Sequence, residues 1–203
     1  MDSSFLIKGT VIGFVIAATI GPIGILCIRK TFEYGRWSGL FSGIGAALAD
    51  TVYGLVAAFG LTAISNFMLA GQFWFRLLGG LFLIYLGVKT FRSKPKDNVA
   101  KVTHKTLLGD LVTTFFLTIV NPTTILSFMA IFAGLGLGDT HGNYESAWRL
   151  VIGIFIGSMI WWIIIAEGVT LFRKRITQKV MIWINRIAGI VIAAFGLFAL
   201  ASI

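Results

Sequence analysis

Long apolar stretches alternate with short polar ones along this chain, and the polar ones are mostly basic. Six apolar segments can be read, at about 5–28, 39–66, 73–91, 107–137, 148–172 and 180–203. Each is near or above the roughly 20 residues that a helix needs to span a bilayer. No intervening stretch is long enough for a separate domain, so the pattern predicts an all-α integral membrane protein of six transmembrane helices. Two prolines interrupt it: Pro22, within Ile20-Gly21-Pro22-Ile23-Gly24 of the first segment, and Pro122, which follows Asn121 in the fourth. Proline has no amide hydrogen and pushes the preceding residue off helical dihedrals. The helices should therefore break or bend there, freeing the carbonyls of Ala18 and Thr118. In a bilayer a freed backbone group must be satisfied by protein or water, so such breaks belong inside a bundle or beside a cavity.

Composition agrees with the pattern. Of 203 residues, 57% are hydrophobic and 12% charged, and mean hydropathy is +0.92, more apolar than a soluble domain of this length. The net charge of +9 would fit nucleic acid, but its placement reads as topology instead. Of the 17 basic residues, 13 fall in three regions: Arg29, Lys30 and Arg36; Lys89, Arg92, Lys94, Lys96, Lys101 and Lys105; and Arg173, Lys174, Arg175 and Lys179. Positive loops stay cytoplasmic, which places both termini outside. Asp2 before the first apolar run, and Lys8 as its only nearby cation, argue against a cleaved signal peptide.

The Lys94-Pro95-Lys96-Asp97 linker divides the chain into repeat one (about 1–92), a cytoplasmic linker (about 93–106) and repeat two (about 107–203). Three spans per half give the halves opposite orientation, as an inverted repeat requires. Broken segments at corresponding positions then point to a transporter site, the alternative being two ordinary kinks. Gly39 and Gly43 in segment two, and Gly153 and Gly157 in segment five, have the spacing for close helix packing. Trp37, Trp74, Trp148 and Trp183 fall near segment ends and read as interfacial anchors, whereas the deeper Trp161 and Trp162 read as bundle packing.

Asp50 is the most informative side chain. It lies mid-segment, where a charge costs roughly 2.5–3.5 kcal/mol. It could hold a substrate ammonium or a coupling proton, or make a helix-to-helix hydrogen bond with Tyr53 or Thr51 nearby. Asn121 could bind substrate or satisfy the broken backbone. Glu167, one turn from the basic end of its segment, should reach the interface and meet Arg173 or Lys174, and Asp110 should favour the positive end of its helix. His104 and His141 lie in opposite loops and Cys27 is the single cysteine, so neither a metal site nor a thiol pair is expected. With no nucleophile motif or phosphate-binding loop, no catalytic residue or cofactor is expected. The half-helices offer amide hydrogens at one end and carbonyls at the other. Together with Asp50, such ends suit a zwitterionic amino acid, and other small polar solutes too.

The stretch GPIGILCIRKTFEYGRWSGLFSGIGAALADTVYGLVAAFGL resembles the opening of the lysine exporter (LysE/RhtB) family of amino acid exporters. Further matches are Gly79-Gly80 with Tyr85-Leu86-Gly87, Asn121-Pro122, Gly157 with Trp161-Trp162, and Asn185-Arg186-Ile187-Ala188-Gly189. The resemblance covers nearly the whole chain. It implies a cytoplasmic-membrane exporter of amino acids or their analogues, driven by the proton motive force, with six helices and a dimer. By position, Gly21, Pro22, Asp50, Asn121 and Pro122 become the candidate site, and Gly24 joins it from the break itself. One departure is Ile23, where many members carry Asn or Gln after Gly-Pro.

The sequence thus predicts a secondary exporter of amino acids or similar small metabolites, by proton antiport, with the bilayer, protons and a small solute as its partners. A passive pore or a non-transporting scaffold is the alternative.

Overall fold

The computed structural model describes residues 4–19, 21–59, 72–93, 104–121, 124–125, 127–128, 144–173 and 177–201. Among them are seven helices and no strand: α1 (Ser4–Ala18), α2 (Pro22–Tyr34), α3 (Arg36–Ala58), α4 (Gln72–Phe91), α5 (His104–Ile119), α6 (Tyr144–Arg173) and α7 (Gln178–Ala201). Of the described residues, α3, Tyr144–Phe172 of α6 and Lys179–Ala201 of α7 are each long and apolar enough to cross a membrane. The pair α1 and α2 is long and apolar enough only when taken together, and it is bent by 77° at the break. Helices α4 and α5 occupy the third and fourth apolar segments.

The first break falls where the proline demands it. Helix α1 ends at Ala18 and α2 starts on Pro22, with Gly21 extended before it at φ −147°. Proline suits a first helical position because its missing amide would have had no partner there. At the other end of α2, Gly35 takes φ 99° and its N–H returns to Thr31 O at 3.0 Å. That positive φ favours glycine, and it lets α3 begin one residue later.

The second break differs from expectation. Helix α5 ends at Ile119, and Asn121 lies outside it. The Thr118 carbonyl is not left free, because the Asn121 N–H bonds to it at 3.2 Å, the short closure common at helix ends. Asn121 O then accepts from Ile125 N at 3.2 Å, so a helical turn restarts beyond the break. Pro122 itself lies outside the described residues.

Helix α3 packs between α5 and α6, α1 lies along α6, and α4 pairs with α7, while α2 touches α3, α6 and α7. Small residues set these approaches. A Cβ on Gly13 would stand 2.1 Å from Ile154 O, and one on Gly157 1.9 Å from Thr10 O, so the α1 and α6 backbones touch as only glycine allows. Gly39 meets Thr31 and Gly43 meets Trp162, and segments two and five do pack on glycine faces.

The contacts also give direction. Gly9 against Leu150 and Gly13 against Ile154, like Gly153 against Leu6 and Gly157 against Thr10, make α1 and α6 parallel. Ser38 on Asp110 and Tyr53 on Ile119 do the same for α3 and α5. Gly43 beside Trp162 and Gly54 beside Ile154 make α3 and α6 antiparallel, and Gly80 beside Gly196 with Gly87 beside Gly189 make α4 and α7 antiparallel.

One end of the bundle collects the charges. Arg29 near the end of α2 bonds Glu33, Thr90 and Ser93 at the end of α4, and Asn185 near the start of α7. Lys30 pairs with Asp110 at 2.8 Å, and Arg36 pairs with Glu167 at 3.1 Å. The described helix ends that flank the three basic regions therefore share one face. Trp37, Trp74, Trp148 and Trp183 are exposed on the surface, as anchors would be.

Candidate functional site

Two apolar clusters fill the bundle. One holds Ala46, Ala47, Leu26 and Trp162, and the other holds Tyr53, Ala58, Leu150 and Ile154. Along α3, Asp50 falls between them, and there the structure has a cavity of about 40 Å³. The start of α2 contributes Gly21, Ile23 and Gly24, α3 contributes Ala46 and Asp50, and α6 contributes Trp162. Thr118 and Asn121 enter from the end of α5, and Thr124 and Ser127 from just beyond it. Four of the residues singled out from the sequence, Gly21, Gly24, Asp50 and Asn121, are thus brought together from both halves of the chain.

The local chemistry follows from the helix ends. The ladder of an α-helix leaves its first amides without partners, and at the start of α2 these belong to Gly21, Ile23 and Gly24, since Pro22 has none. All three line the cavity, so the positive end of α2 faces it. Asp50 is the acidic group among the residues lining the same cavity. Its side chain is buried, accepts from Ser158 Oγ at 2.7 Å, and has no cation partner among the described residues. Ser158 Oγ in turn accepts from Trp162 Nε1 at 3.1 Å. A hydroxyl can donate once and accept as well, so this chain fixes the direction of the serine proton toward the carboxylate. Asn121 Nδ2 donates to Thr124 Oγ1 at 3.1 Å, which holds its amide at the cavity wall.

Other expectations are revised. Neither Thr51 nor Tyr53 serves Asp50: Thr51 Oγ1 bonds Ala47 O of its own helix at 2.7 Å. The Tyr53 hydroxyl donates to Ile119 O, one of the carbonyls that the end of α5 leaves open, and the ring stacks on Phe128 with centroids 5.3 Å apart. Tyr53 does not line the cavity. Glu167 is remote from the cavity and pairs with Arg36; the partners expected for it, Lys174 and the Arg173 side chain, lie outside the described residues. Asp110 does more than face a helix dipole, since it is paired with Lys30. Pro22 is fully buried and shapes the break without lining the cavity. Among the described residues no cluster of His, Cys, Asp or Glu could hold a metal ion.

Ser158 and Trp162 were missed as site residues. Ser158 is the only hydroxyl residue between Ala147 and Glu167, which was the available signal. Trp162 was assigned to packing, and it does pack, but its indole N–H also reaches the serine.

A broken first segment, an acidic residue at the centre of the second and a polar second break all meet on one cavity, as the transporter expectation requires. Comparison with known proteins agrees: the model of the LysE type translocator family matches residues 14–202. The chain belongs to this family. As a LysE type translocator it is a multi-pass membrane protein that moves solutes and is not an enzyme. It is similar to the "Putative amino acid efflux protein YcgF" of Bacillus subtilis, with 28% identity over 93% of this chain and 91% of that one. It is likewise similar to the threonine efflux protein of Escherichia coli K12, with 24% identity over 90% of each. An uncharacterized membrane protein of Synechocystis shares 26% identity, covering 93% of this chain and 92% of the other. No solved structure matches the chain significantly.

Proposed function

We propose that this LysE type translocator exports amino acids or similar small zwitterions across the cytoplasmic membrane in exchange for protons. The observation that carries the reading is the single cavity onto which Gly21, Gly24, Asp50 and Asn121 converge. The amides at the start of α2 receive the carboxylate of the solute, Asp50 receives its ammonium or a proton, and Thr118, Asn121, Thr124 and Ser127 bond its remaining polar atoms. Relatives named for amino acid and threonine efflux support this substrate class. At about 40 Å³ the cavity has room for a few waters, whereas small-molecule sites are typically 300 Å³ or more. The structure is accordingly read as a closed conformation from which the site must open to either side.

Six spans arranged as two inverted repeats complete the reading. Exchanging the halves maps α1 on α6 into α5 on α3, both parallel, and maps the antiparallel pairs α3 with α6 and α4 with α7 onto themselves. The gathering of the basic regions at one end supports a single cytoplasmic face with both termini opposite.

The test is efflux from cells loaded with amino acids by peptide feeding, comparing wild type, Asp50→Asn and empty vector, with and without an uncoupler. Export of one or a few amino acids that is lost in Asp50→Asn and under uncoupler is expected. Flux that simply follows the solute gradient in both proteins would instead identify a passive pore. With membrane expression confirmed, export no faster than the vector control for every amino acid would overturn the substrate class.

A further inference from the structure

A second polar feature lies at the end of the bundle where the basic regions gather. Lys30 Nζ of α2 and Asp110 Oδ1 of α5 are 2.8 Å apart, with side chains only 10% and 11% exposed. Ser38 of α3 donates to the other oxygen of the same carboxylate. Three elements therefore close on one buried group. From this point two stripes run inward at four-residue spacing, Ser38, Ser42, Ala46 and Asp50 on α3, and Asp110, Thr114 and Thr118 on α5. Residues four apart share a helix face, and these helices pack parallel. Asp50 lies about 18 Å along α3 from Ser38.

The middle of this track is unusual. Ser42 and Thr114 are fully buried, yet Ser42 Oγ and Thr114 Oγ1 have no hydrogen-bond partner among the described residues. Buried hydroxyls in a native fold nearly always have one, and leaving them unpaired costs stability. Alanine or valine would fill the same space without that cost. Hydroxyls kept here fit a place that is wet, or occupied by a polar solute, for part of the working cycle.

We infer that the two stripes form the inner half of the solute route to Asp50, and that Lys30, Asp110 and Ser38 are its gate at the basic end. The inference rests on the reading of the Asp50 cavity as the solute site. Helix α2 is the natural moving part, because Gly21 and Gly35 flank it and it carries Lys30. Withdrawing Lys30 exposes Asp110, frees Ser38 and lets water reach Ser42 and Thr114.

Thiol accessibility tests this without measuring transport. Ser42→Cys and Thr114→Cys, each in a Cys27→Ala background, are reconstituted in vesicles. They are treated at the basic-loop face with a small charged methanethiosulfonate. Labelling should be slow with the gate intact and at least tenfold faster in Lys30→Met/Asp110→Leu, which removes both charges together. The exchanged pair Lys30→Asp/Asp110→Lys should return it toward the slow rate. Ala147→Cys, buried in the apolar cluster with Leu150 and Ile154 away from the route, is the control and should stay slow throughout. Equal rates at Ser42→Cys with and without the gate pair overturn the inference, and so does acceleration that includes Ala147→Cys, which reports a loosened bundle. A protein that exports amino acids without gated labelling loses only the gate, whereas gated labelling without amino acid export removes only the substrate class.

Discussion

Alanine at position 157 puts a methyl group where the backbone of α1 already stands. The new Cβ would lie 1.9 Å from Thr10 O and 2.7 Å from Phe14 N, while ordinary contact begins at 3.4 Å. Both atoms are main chain, so no side chain can swing aside and the helices must part by roughly 1.5 Å. A gap of even 0.5–1 Å forfeits about a quarter to a half of each dispersion contact, and overpacking of this kind costs about 1–3 kcal/mol. Alanine also gains helix propensity over glycine, about 1 kcal/mol, and the comparison must cancel that gain. Gly168→Ala does so, because its added Cβ would meet nothing within 4 Å. With about 2–4 °C per kcal/mol for a chain of this size, Gly157→Ala should melt about 2–12 °C below Gly168→Ala. The assay is the loss of the monodisperse chromatographic peak on heating in detergent. Equal melting temperatures for the two variants would refute the backbone contact between α1 and α6.

Four further outcomes are expected. Ser158→Ala removes a hydrogen bond to a carboxylate, about 1.5–3 kcal/mol, and strands the Trp162 N–H. Efflux should slow and Ser158→Thr should restore it, whereas an unchanged rate would detach this chain from function. Arg29→Leu takes the cation from beside Glu33, whose side chain is only 5% exposed, and should destabilise the fold by about 3–5 kcal/mol. Arg29→Leu/Glu33→Leu should recover much of that, both read by melting. Arg36→Gln should change stability by less than about 1 kcal/mol, because its pair with Glu167 is half exposed and solvent screens it. Cys27 is 1% exposed and should react with maleimide only after denaturation, so fast labelling of the folded protein would contradict its burial.

The sequence was most readable where a residue's cost exposed its purpose. Pro22 demanded a break or a bend in the first segment, and it begins α2. Asp50 needed a buried polar setting, and with Gly21, Gly24 and Asn121 it has one. What stayed hidden depended on helix rotation and on pairing across the two halves. Ser158 costs little in an apolar helix and becomes important only because α6 turns it toward α3. Lys30 and Asp110 each looked complete alone, one as a topology signal and the other as a helix-start acid, and 80 residues separate them. Tyr53 and Glu167 sit close in sequence to the groups that mattered, but the turn of their helices sends Tyr53 to a carbonyl and Glu167 to Arg36.

Arg29 and Lys30 are neighbours in sequence, and on a helix successive side chains diverge by about 100°. Arg29 therefore grips the α4 and α7 pair while Lys30 grips α5. Helix α2 is fastened on two flanks to two different bodies, like a crank held at two bearings. Turning it to slacken one grip strains the other, so α4 with α7 and α3 with α5 cannot drift independently. The shortest of the described helices thereby sets how stiffly the two sides answer each other.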